Sequence, residues 1–141
     1  MRIYFSCSLT GGRQDQPIYA GMVRHLQGAG HEVLTAHLAD PEVMVLDGLL
    51  DPLAVYERDT AWIKECEVVI AEVSTPSHGV GFEIAFALGR GKPVFCFFRA
   101  GARVSKMITG NRSPGFEVHA YDDPDHAASL MDAGLASLQA P

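Results

Sequence analysis

EVSTPSHGVGFEIAFALGRGKP, residues 72–93, reads as a strand end, a loop and a helix in succession. Just upstream, Val68-Val69-Ile70-Ala71 is a continuous apolar run, the pattern of a strand buried on both faces. The loop is built of small and polar residues: Ser74, Thr75, Pro76, Ser77, Gly79 and Gly81. The apolar segment 82–88 then reads as a helix. It stops at Gly89-Arg90-Gly91, where glycine can take the left-handed conformation. One residue of that helix is out of place. Glu83 has Val80 three positions before it and Ala87 four after it, which sets it on an apolar stripe. An ionised carboxylate there costs free energy unless it is paired or used. Two readings stand: a first-turn charge favouring the helix N-terminus, or a functional acid with a perturbed pKa.

The same alternation extends outward in both directions. Residues 2–7 form an apolar first strand, followed by the turn Ser8-Leu9-Thr10-Gly11-Gly12-Arg13. Ile18, Met22, Val23 and Leu26 have helical spacing, and Gly28-Ala29-Gly30 ends that helix. Residues 31–35 read as a second strand and 37–50 as a long irregular connection with Pro41 and Gly48. Asp51-Pro52 is a strong helix start, with Asp as N-cap and Pro in the first turn, for a helix to about residue 64. Beyond the central stretch come an apolar strand at 93–98 and a loop at 100–115. Val104, Met107 and Ile108 give that loop one helical turn. A last strand at 116–121 and a final helix opened by Asp123-Pro124 complete the pattern. Strands alternating with helices predict an α/β fold: one doubly wound domain over 1–141 with a parallel, Rossmann- or flavodoxin-like five-stranded sheet. Ligands of such sheets bind at the carboxyl ends of the strands. The loops after Cys7, Thr35, Val73 and Phe98 should therefore surround one crevice.

The chain has 141 residues, a net charge of -6 and 48% hydrophobic residues, enough for a substantial core. It holds no apolar run of membrane-crossing length, and its first residues read as a strand instead of a signal peptide. The expectation is a cytoplasmic protein with no membrane partner. Cys7, Cys66 and Cys96 are odd in number and lack metal-type spacing, so buried reduced thiols are expected. The six histidines show no metal motif, and no metal or cofactor is expected. The acidic balance argues against a nucleic-acid groove but leaves room for one small anion at backbone amides.

The turn at 8–13 and the loop at 77–81 each precede a helix. Their glycines allow amides to approach an anion, with Ser8, Thr10 and Ser77 as hydroxyl donors. The first turn is neither a Walker loop nor GxGxxG, and a plain turn is an equal reading of it. Asp59, between Tyr56 and Ile63 on its helix, is a second displaced carboxylate, either functional or paired with Arg58. Two carboxylates meeting in one crevice suit glycosidic chemistry. His37 is a ligand contact or a structural loop histidine.

These residues carry a resemblance. The chain resembles the nucleoside 2-deoxyribosyltransferase superfamily, and within it the 2'-deoxynucleoside 5'-phosphate N-hydrolases and the related bacterial cytidylate N-glycosidases. The matching pieces are Tyr4-Phe5 with residues 8–13, Leu34-Thr35-Ala36-His37, residues 58–62, residues 71–83 and, more weakly, residues 103–108. The resemblance implies that Glu83 is the nucleophile, that Asp59 holds the sugar and assists proton transfer, and that Tyr4 orients the nucleophile. It implies a nucleoside 5'-monophosphate substrate whose phosphate meets Ser8, Leu9, Thr10, Gly11, Gly12, Arg13, Ser77 and Gly79, with His37 nearby. It further implies a homodimer in which Ser105 reaches the neighbouring subunit's phosphate. Thr10 departs from the arginine that these hydrolases commonly carry. The expected activity is N-glycosidic hydrolysis; base exchange and non-catalytic nucleotide binding are the alternatives.

Overall fold

The computed structural model describes residues 1–9 and 11–140, apart from the side chains of Met44 and Leu46. The chain runs β1 (Arg2–Ser6), α1 (Gln16–Gly28), β2 (Glu32–Val33), a 3₁₀ turn (Ala36–Ala39), α2 (Val43–Asp47) and α3 (Pro52–Glu65). It continues with β3 (Val68–Glu72), α4 (His78–Leu88), β4 (Val94–Arg99), α5 (Lys106–Thr109), β5 (Phe116–Tyr121) and α6 (Pro124–Gln139). The strands form one parallel sheet in the order β2-β1-β3-β4-β5, the flavodoxin-like order. Phe5 pairs with Ile70, and Ile70 with Phe95.

Strand periodicity divides the core in two. Ile3, Phe5, Val68, Ile70, Phe95 and Phe97 pack towards α1 and α6. Tyr4, Val69, Ala71, Val94 and Cys96 pack towards α3 and α4. Ser6 follows Tyr4 by two residues, so it projects to the α3/α4 face; Glu72 follows Ile70 by two and projects to the other. The three cysteines are free and buried. Among the described residues, no helix is long and apolar enough to cross a membrane.

Three expectations are corrected. The second strand is only Glu32–Val33, because the Thr35 side chain replaces the ladder. Thr35 Oγ1 accepts from the Phe5 N–H at 2.8 Å and donates to the Phe5 carbonyl at 2.6 Å. The connection at 37–50 is not irregular throughout but holds the 3₁₀ turn and α2. Elements this short show no full helical period in sequence. The central helix begins at His78, with Gly79 and Gly81 inside it, because Ser77 caps it by accepting from the Val80 N–H at 3.4 Å.

Thr35→Val keeps the side-chain volume but strands the buried Phe5 amide and carbonyl. It should lower unfolding free energy by about 1–3 kcal/mol, read from the urea midpoint. An unchanged midpoint would show that the hydroxyl does not replace the ladder.

Candidate active site

Tyr4 and Ser6 leave β1 on the face covered by α4, and Glu83 meets them there. Glu83 Oε1 accepts from the Tyr4 hydroxyl at 2.9 Å, and Oε2 from the Ser6 hydroxyl at 2.5 Å. Tyr4 and Ser6 are fully buried, and Glu83 is half-buried. Glu83 is the sixth residue of α4 and lies beyond its first turn. The helix N-terminus therefore does not account for a carboxylate here, since that effect fades within one turn. Burial pushes the Glu83 carboxyl up to about 7, the Ser6 and Tyr4 hydrogen bonds oppose the rise, and the Asp59 charge adds to it. Burial, followed by the Glu83 charge, holds the Tyr4 phenol far above its ordinary range, so it stays protonated and remains a donor.

Asp59 and Glu83 line one cleft of about 370 Å³ between α3 and α4, with Tyr56, Phe82, His78 and Gly79 on its walls. Asp59 also accepts from Arg58 Nε at 2.7 Å, and Arg58 reaches Asp47 on α2 at 3.2 Å. The pairing reading and the cleft reading of Asp59 thus hold together: the guanidinium fixes a carboxylate that still faces the cleft. Arg58 lies over the Trp62 ring at 5.2 Å, and Trp62 lies 5.6 Å from the His37 ring. Burial, helped by Arg58, lowers the His37 pKa. Its Nε2 is buried without a partner among the described residues.

The first turn lies at the same sheet edge but outside the lining of that cleft. Ser8 is fully buried, and its Oγ has no partner among the described residues. Leu9 packs against the core and accepts from the Gly12 N–H at 3.4 Å. Thr10 lies outside the described residues. Gly11 is required by contact, since a Cβ there would lie 2.1 Å from the Pro76 carbonyl oxygen; Gly12 has φ +131°. Arg13 turns inward and donates to the carbonyls of Ser8 at 3.3 Å and Asp40 at 3.0 Å, so its guanidinium braces the turn.

Ser105 is not brought to the Glu83 cleft. It caps α5 and lines a separate groove of about 850 Å³ along the other side of α4, with Ser77, Ile84 and Met107. Ser6 is the site residue that the sequence reading missed. The available signal was its place two residues after Tyr4 on one strand face.

Residues 3–131 match the nucleoside 2-deoxyribosyltransferase family, and the chain belongs to that family. It is 44% identical over 111 residues to a Methanococcoides burtonii protein provisionally named 2'-deoxynucleoside 5'-phosphate N-hydrolase 1, covering 79% of this chain and 91% of that protein. It is 41% identical over 140 residues to the 5-hydroxymethyl-dUMP N-hydrolase of Mus musculus, covering 92% of this chain and 76% of the relative. In fold it is similar to the CMP N-glycosidase of Clostridium botulinum, at a TM-score of 0.71 and 20% identity, covering 94% of this chain and 98% of the other.

The raised Glu83 pKa has a signed consequence. The folded chain retains a proton that an unfolded chain releases above the ordinary carboxyl value of 4.5. The stability associated with Glu83 is therefore complete below 4.5 and is lost as pH rises through about 7. Glu83→Gln cannot ionise. At about pH 8 it should unfold at higher denaturant than the parent, by up to about 3 kcal/mol, and at about pH 4 the gain should vanish. A gain of equal size at both pH values would contradict the buried-carboxyl assignment.

Proposed function

We propose that this protein hydrolyses the N-glycosidic bond of a 2'-deoxynucleoside 5'-monophosphate, releasing the free base and 2-deoxyribose 5-phosphate. The observation that carries the reading is Glu83, desolvated yet held by two hydroxyl donors, in a cleft that Asp59 also lines. The names of the relatives at 41–44% identity support hydrolysis of this bond over base exchange.

In the proposed reaction the Glu83 carboxylate attacks the anomeric carbon as the carbon–nitrogen bond breaks. The bonding pair leaves with the base nitrogen, which takes up a proton from water in the cleft. Positive charge grows on the sugar and is met by the carboxylate. Tyr4 and Ser6 hold both carboxylate oxygens, so little reorganisation precedes attack. Asp59, anchored by Arg58, positions the sugar and assists proton transfer. Water then attacks the anomeric carbon of the glycosyl–Glu83 ester, giving sugar phosphate with retention. This is nucleophilic and acid–base chemistry, with no metal or cofactor in the scheme. The turn from Ser8 to Gly12 together with Ser77 receives the 5'-phosphate.

The reading includes a second copy of the chain. Ser105 lies away from its own Glu83 cleft, on a largely apolar groove where Met107 is 82% exposed. A partner covering that groove would bury Met107 and let Ser105 reach the partner's phosphate site. The three free cysteines suit a reducing cytoplasm.

The test is base release from a panel of ribo- and deoxyribonucleoside monophosphates, their nucleosides, and mixtures with a second free base. Monophosphates should be cleaved far faster than nucleosides, since remote binding energy acts at the reacting centre. No new nucleotide should form in the mixtures. Glu83→Gln should bind nucleotide but lose at least about 10³-fold in single-turnover release. Normal release by a folded Glu83→Gln would remove the nucleophile, and a new nucleotide would establish the transferase.

Assembly is a separate expectation. Sedimentation should give a dimer, and Met107→Asp should shift it towards monomer with a parallel loss of activity. A fully active monomer would exclude the shared site.

A further inference from the structure

A second group of buried charges sits at the same sheet edge, on the face opposite Glu83. Asp15 is the N-cap residue of α1, yet its carboxylate makes no bond to its own helix. The stabilising capping bond is forgone here for contacts across the fold. Asp15 is 4% exposed. It accepts from Thr75 Oγ1 at 2.9 Å and from Arg99 Nη1 at the end of β4. Gln14 Nε2 donates to the same Thr75 hydroxyl at 3.0 Å. The loop after β1 thus holds Thr75 from two sides.

Residues flanking Thr75 are held as well. The Pro76 carbonyl presses against Gly11 so closely that no Cβ fits between them. Ser74 Oγ donates to Glu72 and accepts from the Arg99 N–H at 2.8 Å. Glu72, fully buried, also accepts from the Tyr121 hydroxyl at 2.9 Å. Residues 72–76 are therefore fixed to β4, β5 and the β1 loop immediately before Ser77. Buried carboxylates are costly unless fully paired and contribute little net stability even then.

We propose that Asp15 is a positioning residue which, through Thr75, sets the spacing between Ser8, Gly11 and Gly12 on the first turn and Ser77 on the second loop, so that these residues act as one preformed phosphate cradle. The inference rests on the reading of those loops as the phosphate site. The Ser8 Oγ, without a partner among the described residues, lies at the seam, 2.8 Å from where a Gly11 Cβ would stand. A cradle locked before binding loses less conformational freedom when the ligand arrives.

The probe is 2-deoxyribose 5-phosphate, titrated calorimetrically into the parent, Thr75→Val, Thr75→Ser, Asp15→Asn and the double variant Asp15→Asn/Thr75→Val, each checked for a cooperative melt. Thr75→Val and Asp15→Asn should bind about tenfold more weakly, and Thr75→Ser should match the parent. The double variant should be no weaker than the worse single one, because both cut the same link. Gln14→Ala, at an exposed position, should weaken binding about threefold and decides the matter if the buried variants do not fold. Parental affinity in folded Thr75→Val, failure of Thr75→Ser to restore binding, additive losses, or no binding by the parent would each overturn the assignment. If the parent binds with the expected pattern but releases base from no monophosphate, the hydrolase reading fails and the positioning role stands.

Discussion

A carboxylate withdrawn from water beside a parallel sheet must find donors on the strand beneath it. Glu83 finds them on β1, where Tyr4 and Ser6 take its two oxygens. The contact depends on strand periodicity, which points alternate residues to one face, and on β1 and β3 pairing in register from Ile3 with Val68 to Ser6 with Ala71. It also depends on α4 lying over that face, held by Val80, Ile84 and Ala87. A shift of one residue in β1 would turn both hydroxyls to the α1/α6 side and leave Glu83 without a partner.

The balance at Glu83 explains how a carboxyl can be partly withdrawn from water and still ionise. Burial raises its pKa and the two hydroxyls lower it, leaving a group poised about neutrality. A fully solvated carboxylate would be ionised but shielded, and a deeply buried one without donors would be protonated and inert as a nucleophile. Tyr4 stays protonated because it is buried itself. Asp59 stays beside the cleft because Arg58 ties it to Asp47 on α2, an element whose role is invisible until the chain has folded.

The two faces of the sheet divide the work at its carboxyl edge. The α3/α4 face carries Glu83 and Asp59, whereas the α1/α6 face carries Glu72 and Asp15, each saturated by hydroxyl, amide or guanidinium donors. The loop at Ser74–Ser77 joins them. Its Ser74 and Thr75 belong to the second network, and Ser77 begins the helix that bears Glu83.

Much of this was legible in the sequence, because the rules involved are local. Continuous apolar runs marked β1, β3 and β4; Asp-Pro pairs marked the starts of α3 and α6; and Glu83 and Asp59 stood out as acids on apolar faces. The start of α4 was less legible, since Gly79 and Gly81 read as loop until Ser77 is seen capping His78–Leu88. Ser6 was marked only by its place two residues after Tyr4, and it meets Glu83 across 77 residues. Asp15 carried no mark in the sequence, and its carboxylate crosses 60 residues to Thr75. Arg13, which the resemblance places at the phosphate, is also a brace of the turn, donating to the carbonyls of Ser8 and Asp40. The sequence by itself determined the longer strands and helices and marked Glu83 and Asp59 as misplaced acids, because period and capping act within a turn or two of chain. Only the tertiary structure decided which hydroxyls and cations those acids meet, because partners so distant in sequence are set by sheet register and helix packing.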